Sequence, residues 1–253
     1  MPEPEWFVSR GDNRHARVFC FPYAGGDPRT YLSWQPGLDA DADIVAVCPP
    51  GKAHRAHEPL PPFDALAEKA AAAIAESART DPRPIHLFGH SFGGLLAFEV
   101  ARRLRDLPNL RHLVVSGISA PSLLPSRRVR DIAKLEGREF AEALAFFGQF
   151  PPEVVADEDV LALLLPGLKA DFELAVGYRY RPAPPLEIGV SVLVGREDPH
   201  VGEAEVEPWH RECAAPPAHH RADGGHFYFD PDPAPVVDLL RSVAGADRHV
   251  EVI

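Results

Sequence analysis

The chain is short of cysteine, of basic charge and of long apolar runs, and each shortage closes off a class of protein. Three cysteines, Cys20, Cys48 and Cys213, in 253 residues are too few and too scattered for a disulfide framework or a zinc site. Cys20 and Cys48 stand inside apolar, strand-like runs and read as small core residues. A formal net charge of −11 argues against nucleic acid, whose binders carry a basic footprint, and against an anionic membrane surface. No apolar run approaches the ~18 residues of a membrane span. Met1-Pro2-Glu3-Pro4-Glu5 has neither a basic n-region nor an apolar h-region, so a cytoplasmic protein is expected. No internal repeat or low-complexity tract occurs, no acidic or histidine cluster has metal-ligand spacing, and no cofactor is expected. Proline is the one excess: 28 residues, roughly twice the usual ~5%, which implies many stiff loops. With 45% hydrophobic and 25% charged residues, the length suits one large α/β domain.

Along the chain, short apolar runs alternate with helical periodicity. Residues 17–21, 43–48, 84–88, 111–116 and 190–195 read as strands, and His219 and His220 lie in a final strand segment. Residues 63–78, with Phe63, Leu66, Ala70 and Ile74 on one side, read as a helix, as do residues 94–104 and 233–243. Near-continuous apolar strands alternating with helices predict a mostly parallel central sheet flanked by helices on both faces. Between about residues 120 and 185 the pattern is helical only, over 129–135, 139–147, 157–165 and 168–180. An insertion of that kind reads either as a helical lid or as padding for the sheet.

The most informative segment is Gly89-His90-Ser91-Phe92-Gly93. Lying between a strand and a helix, it reads as a nucleophile elbow, the tight turn that thrusts a serine above a sheet. Its glycines suit a strained turn in which strand and helix pass within contact distance. A serine hydroxyl needs a base, and the base an orienting carboxylate. The order that accompanies such an elbow is Ser, acid, His. The acid belongs in the loop after a late strand, where Asp198 precedes Pro199; Glu197 is its rival, and a turn-capping aspartate is the plainer reading. The base belongs in the last loop before the terminal helix, where His226 follows Gly224-Gly225. Of the other histidines, His90 is expected to point away from Ser91 and His200 to lie too near the acid. An oxyanion hole needs two backbone N–H donors. Phe92, after the serine, offers one, and Ala24, in the loop Phe21-Pro22-Tyr23-Ala24-Gly25-Gly26, offers the other.

Taken together these residues resemble a family, the stand-alone type II thioesterases of polyketide and non-ribosomal peptide synthases, which have the α/β-hydrolase fold. The likeness runs through Phe21 to Gly26, Pro50-Gly51, the elbow, Ser116-Gly117 with Ala120-Pro121, and Leu164-Leu165-Pro166 with Lys169-Ala170-Asp171-Phe172. It continues through Tyr178-Arg179-Tyr180, Gly195 with Asp198-Pro199, and Gly224-Gly225-His226-Phe227. Two positions depart from it: Phe92 stands where methionine is usual, and Cys48-Pro49-Pro50-Gly51-Lys52 replaces a Gln-Leu-Pro-Gly-Arg pattern. The resemblance implies hydrolysis of acyl groups stranded on the phosphopantetheine arm of an acyl or peptidyl carrier protein. Ser91 would be the nucleophile, His226 the base and Asp198 its orienter, in a monomer without metal. Under the lid, Phe146, Phe147, Phe150 and Phe172 are candidates for the substrate channel or for lid packing. Arg127, Arg128 and Arg130 are candidates for docking an acidic carrier or simply a solvated face, with Lys52 and Arg55 next in line.

The triad alone does not separate this reading from a cytosolic carboxylesterase, a lipase-like enzyme, a peptidase or a macrocyclase. A protein that retains the fold only to bind a partner is the other class, against which an intact Ser, Asp and His in order speaks.

Overall fold

The computed structural model describes residues 6–11, 13–38, 41–145, 150 and 152–246. Its centre is a seven-stranded sheet of β1 (Phe7–Ser9), β2 (Ala16–Phe21), β3 (Ala42–Val47), β4 (Ile85–His90), β5 (Leu110–Ser116), β6 (Gly189–Gly195) and β7 (Ala218–Ala222). They lie in the order β1-β3-β2-β4-β5-β6-β7. Only β1 is antiparallel; every other neighbouring pair is parallel. Every residue of β2, β3 and β4 is buried, which is why their sequences read as near-continuous apolar runs, interrupted by Arg17, Asp43, His86 and His90. The edges differ: β1 has three residues, and β7, Ala-His-His-Arg-Ala, is largely exposed. Short or polar edges discourage further strand pairing.

Side chains alternate between two cores, as the strand period of two requires. Phe19, Phe21, Val45, Leu87, Val115 and Val192 pack with α1 (Phe63–Thr80) and α2 (Phe92–Arg103). Val18, Cys20, Ile44, Phe88, Val114 and Leu193 pack on the opposite face with the 3₁₀ segment Pro28–Leu38 and the terminal helix. The three cysteines are buried and unbridged.

Between β5 and β6 the chain is helical: α3 (Arg127–Ile132), α4 (Gly137–Ala145), α5 (Pro152–Ala156) and α6 (Glu158–Gly177). These enclose a small core of their own, Ile132, Phe140, Leu144, Leu168 and Phe172. The sequence suggested two helices, over 157–165 and 168–180; the structure has one, with Pro166 inside it. Proline removes one helical hydrogen bond, but Leu161 before it and Leu168 and Phe172 after it are all buried on the helix, and that packing carries the helix across. Asp157 caps its start, accepting from the Asp159 and Val160 N–H groups at 3.1 Å; such a cap contributes about 1 kcal/mol. A short α7 (Glu203–Val206) follows β6, and α8 (Ala234–Ala246) ends the described chain.

This topology fixes where a site can form. From β2 the chain steps outward to β3, then returns across β2 to β4, so β2 and β4 are neighbours whose connections leave in opposite directions. The carboxyl ends of such strands open a crevice at the switch point. The loops after β2, β4, β6 and β7 all emerge at that edge.

Candidate active site

Ser91 lies at the turn between β4 and α2 with φ +52° and ψ −121°, a region costing a non-glycine residue on the order of 1–3 kcal/mol. The turn is held by the Ser91 N–H donating to the Ser116 carbonyl at 2.8 Å and the Gly94 N–H donating to the Ser91 carbonyl at 2.9 Å. The flanking glycines are sterically required. A Cβ on Gly89 would overlap the Gly93 backbone, and one on Gly93 would press into the Phe21 carbonyl and lie 2.7 Å from that of Pro22. The elbow and the loop after β2 therefore touch backbone to backbone, and Ala24 and Phe92 line one cavity with Ser91.

Asp198 stands past the end of β6, its side chain fully buried, and accepts from two donors. His226 Nδ1 lies 2.7 Å from Oδ2, and the His200 N–H donates to Oδ1 at 2.9 Å. Glu197, the rival acid, is exposed. A donating Nδ1–H leaves His226 Nε2 as the acceptor. His226 and Ser91 line the same cavity.

Sequence reasoning undervalued three residues around this pair. His90 is completely buried and packs against His226, with ring centroids 4.7 Å apart. Its Nδ1 lies 2.9 Å from Ser116 Oγ, which lies 2.7 Å from the Tyr228 hydroxyl. Complete burial, and secondarily the proximity of His226, hold its pKa well below the ordinary 6.5, so this ring is neutral under His226. His200, set aside for its nearness to the acid, lines the cavity, and its ring centroid is 5.8 Å from that of His226. Burial first, then Arg128 and His226, lower its pKa to about 4 against the pull of Asp198. Asp171, on α6, is 1% exposed. It accepts from the Gly25 N–H at 2.7 Å and from Lys52 Nζ. Its place in the Lys169-Ala170-Asp171-Phe172 match was the available signal.

Two cavities meet at Ser91. The larger, about 440 Å³, is lined among others by His226, His200, Arg127 and Arg128. The smaller, about 60 Å³, is lined by Ala24, Phe92, Leu95, Ile118 and Phe172 and is almost entirely apolar. Of the channel candidates, Phe172 thus faces the small cavity, whereas Phe150 packs against the core of the helical insertion and lines neither cavity. Phe146 and Phe147 lie outside the described residues. Arg127, Arg128 and Arg130 are all exposed on α3, the first two at the large cavity. Lys52 and Arg55 do not form an exposed basic patch. Lys52 is bound to Asp171, and Arg55, 4% exposed, is paired with Glu58 and stacked 4.4 Å from the Trp6 ring. Among the described residues no helix is long and apolar enough to cross a membrane.

Comparison with known proteins shows the family to which the chain belongs. The thioesterase domain family matches residues 16–240. The linear gramicidin dehydrogenase LgrE of Brevibacillus parabrevis is 31% identical, over 94% of this chain and 91% of that one. The thioesterase PikA5 of Streptomyces venezuelae is 34% identical, over 86% of this chain and 77% of that one. The dehydrogenase in the first of these names is said of that relative alone. Among solved structures, the type II thioesterase BorB from the borrelidin biosynthetic cluster superposes with a TM-score of 0.82 at 30% identity, covering 94% of this chain and 97% of that one. The chain belongs to the thioesterase family, and within it to the type II thioesterases of polyketide and non-ribosomal peptide pathways.

Proposed function

We propose that the protein removes short acyl groups from the phosphopantetheine arm of an acyl or peptidyl carrier protein, using Ser91, His226 and Asp198 as its catalytic triad. The observation that carries this reading is the pair of unlike cavities sharing Ser91: a roomy, partly polar one suited to an arm, and a small apolar one suited to an acyl chain.

The chemistry follows from the arrangement. Ser91 Oγ attacks the thioester carbonyl while His226 Nε2 takes its proton and Asp198 holds the imidazole. The developing oxyanion is met by the Phe92 N–H, at the N-terminus of α2, and by the Ala24 N–H. Collapse breaks the C–S bond, and the imidazolium returns the proton to the departing thiolate. Water, deprotonated by His226, then attacks the acyl-serine, releases the acid and restores the Ser91 hydroxyl. The neutral His90 beneath His226 adds no repulsion when the imidazole becomes charged.

In this reading the helices between β5 and β6 form a lid, since Val129, Phe172 and Ala175 close the small cavity and Arg127 and Arg128 line the large one. The 60 Å³ volume restricts the acyl group to a few carbons. Phe172→Ala is expected to shift the preference toward longer acyl chains, raising kcat/KM for a six- or eight-carbon thioester by about tenfold relative to acetyl. An unchanged ratio would remove Phe172 from the acyl wall. The three α3 arginines, two of them at the cavity that receives the arm, are read as a contact for an acidic carrier. Replacing Arg127, Arg128 and Arg130 by alanine is expected to raise KM for carrier-bound substrate by roughly tenfold, with a much smaller effect on a free thioester. Equal effects on both would sink the docking role.

The function itself is tested by the intact mass of a carrier loaded with acetyl or propionyl phosphopantetheine. Loss of the acyl mass on adding the protein is the expected result. An untouched carrier beside brisk cleavage of simple esters would make the protein a general esterase.

A further inference from the structure

We infer that Asp171, charged and held by Lys52, is a positioning residue for the loop that supplies the Ala24 oxyanion donor; this rests on the proposed catalytic reading of Ser91. The loop closes as a turn, with the Gly26 N–H donating to the Tyr23 carbonyl at 2.9 Å and Gly25 at φ +75°. That is the geometry of a type II turn, in which the third residue has positive φ. Types I and II differ in the orientation of the central peptide, here the one joining Ala24 to Gly25. Its N–H is the group Asp171 Oδ2 accepts, at 2.7 Å. The carboxylate therefore fixes the peptide immediately after the donor.

Burying a carboxylate is costly unless it is paired and hydrogen-bonded. Burial raises the Asp171 pKa, while Lys52 and the Gly25 N–H oppose that rise. Lys52, its side chain 11% exposed, comes from the loop after β3, so three segments remote in sequence meet at one carboxylate. The adjacent Phe172 lines the small cavity. One turn of α6 thus both walls the acyl cavity and holds the oxyanion loop, so the seating of this helix and the shape of the hole are set together. A donor acts without reorganisation only when its direction is fixed beforehand.

An ion pair that merely fastened α6 to the sheet would give the same picture, and the test separates the two. Replacing a buried ion pair by apolar groups of similar volume is often neutral in stability. Asp171→Leu with Lys52→Met therefore removes the Gly25 acceptor while sparing the fold. Asp171→Asn with Lys52→Met keeps an acceptor without charge, and Lys52→Arg keeps the pair. Turnover of an acetyl-pantetheine thioester is measured with melting temperature. The Leu/Met variant is expected to lose about 10–10² in kcat, part of the 10²–10³ for a deleted donor, with KM little changed. Asn/Met recovers most of this, and Lys52→Arg stays near wild type. A Leu/Met variant with wild-type kcat, or with its whole loss in KM or in melting temperature, overturns the inference. Should Leu/Met fail to fold, an Asn/Met variant with kcat reduced as far as a donor deletion overturns it as well, and full recovery upholds it. Should wild type not cleave the thioester, the thioesterase reading fails separately. The variants are then ranked by the rate at which a fluorophosphonate labels Ser91, whose phosphoryl oxygen uses the same hole; equal rates overturn the inference.

Discussion

Ser91→Ala abolishes deacylation of a loaded carrier, with an expected loss on the order of 10⁴-fold or more, and leaves the melting temperature close to wild type. Both halves follow from the elbow. Alanine retains the Cβ, so the positive-φ strain at this position is unchanged, and only Oγ is lost. Although Ser91 occupies the N-cap of α2, its side chain makes no capping hydrogen bond. The usual penalty of about 1 kcal/mol for removing a serine cap therefore does not arise. The elbow is held by backbone bonds and by glycine contacts that the substitution leaves alone. Residual turnover reports the oxyanion hole and substrate binding. Activity within tenfold of wild type would remove Ser91 from the mechanism. A collapse of the fold would show that the hydroxyl is structural.

Asp198→Asn is expected to lower kcat by about 10⁴, as when an amide replaces a triad carboxylate elsewhere. Here the cause can be traced to two occupied oxygens. Oδ1 accepts the His200 N–H and Oδ2 accepts His226 Nδ1. An asparagine has one oxygen and one NH₂ group. If its oxygen serves the backbone of His200, the NH₂ faces His226 Nδ1, which must then accept and carry its proton on Nε2, useless as a base toward Ser91. If the amide flips, it opposes a backbone N–H donor with a donor, inside a site where that side chain is fully buried. Turnover measured beside the melting curve distinguishes these cases. The first gives an inactive protein of near-normal stability, and the second costs about 1–3 kcal/mol for an unsatisfied buried group. Retained turnover would mean that another carboxylate orients His226.

Much of this was legible locally. Gly89-x-Ser91-x-Gly93 needs its glycines because strand and helix nearly touch, a constraint that acts over five residues and is written in them. The strands β2 to β6 were legible because a parallel strand covered on both faces is mostly apolar, even with Arg17, Asp43 and His86 inside these runs. Strand β1 was not, because three residues carry no period, and the join across Pro166 was not, because local propensity points the other way. The contacts of His90 with Ser116 and His226 were not read from the sequence. A residue beside the nucleophile points into the floor by strand alternation, yet which ring lies above it depends on a loop 136 positions later in the chain, the difference between 90 and 226.

By itself, then, the sequence determined the alternation of strands and helices, the elbow turn, and the chain order of the proposed serine, acid and base, because each rests on short-range sterics or on chain order. Only the tertiary structure decided that Asp198 has both oxygens taken, that two unlike cavities share one serine, and that Phe150 serves packing while Phe172 lines a cavity. Only there does Lys52 leave the surface to pair with Asp171. Such facts depend on which side chains burial brings together, and a buried charge takes whatever partner the packing of distant segments supplies.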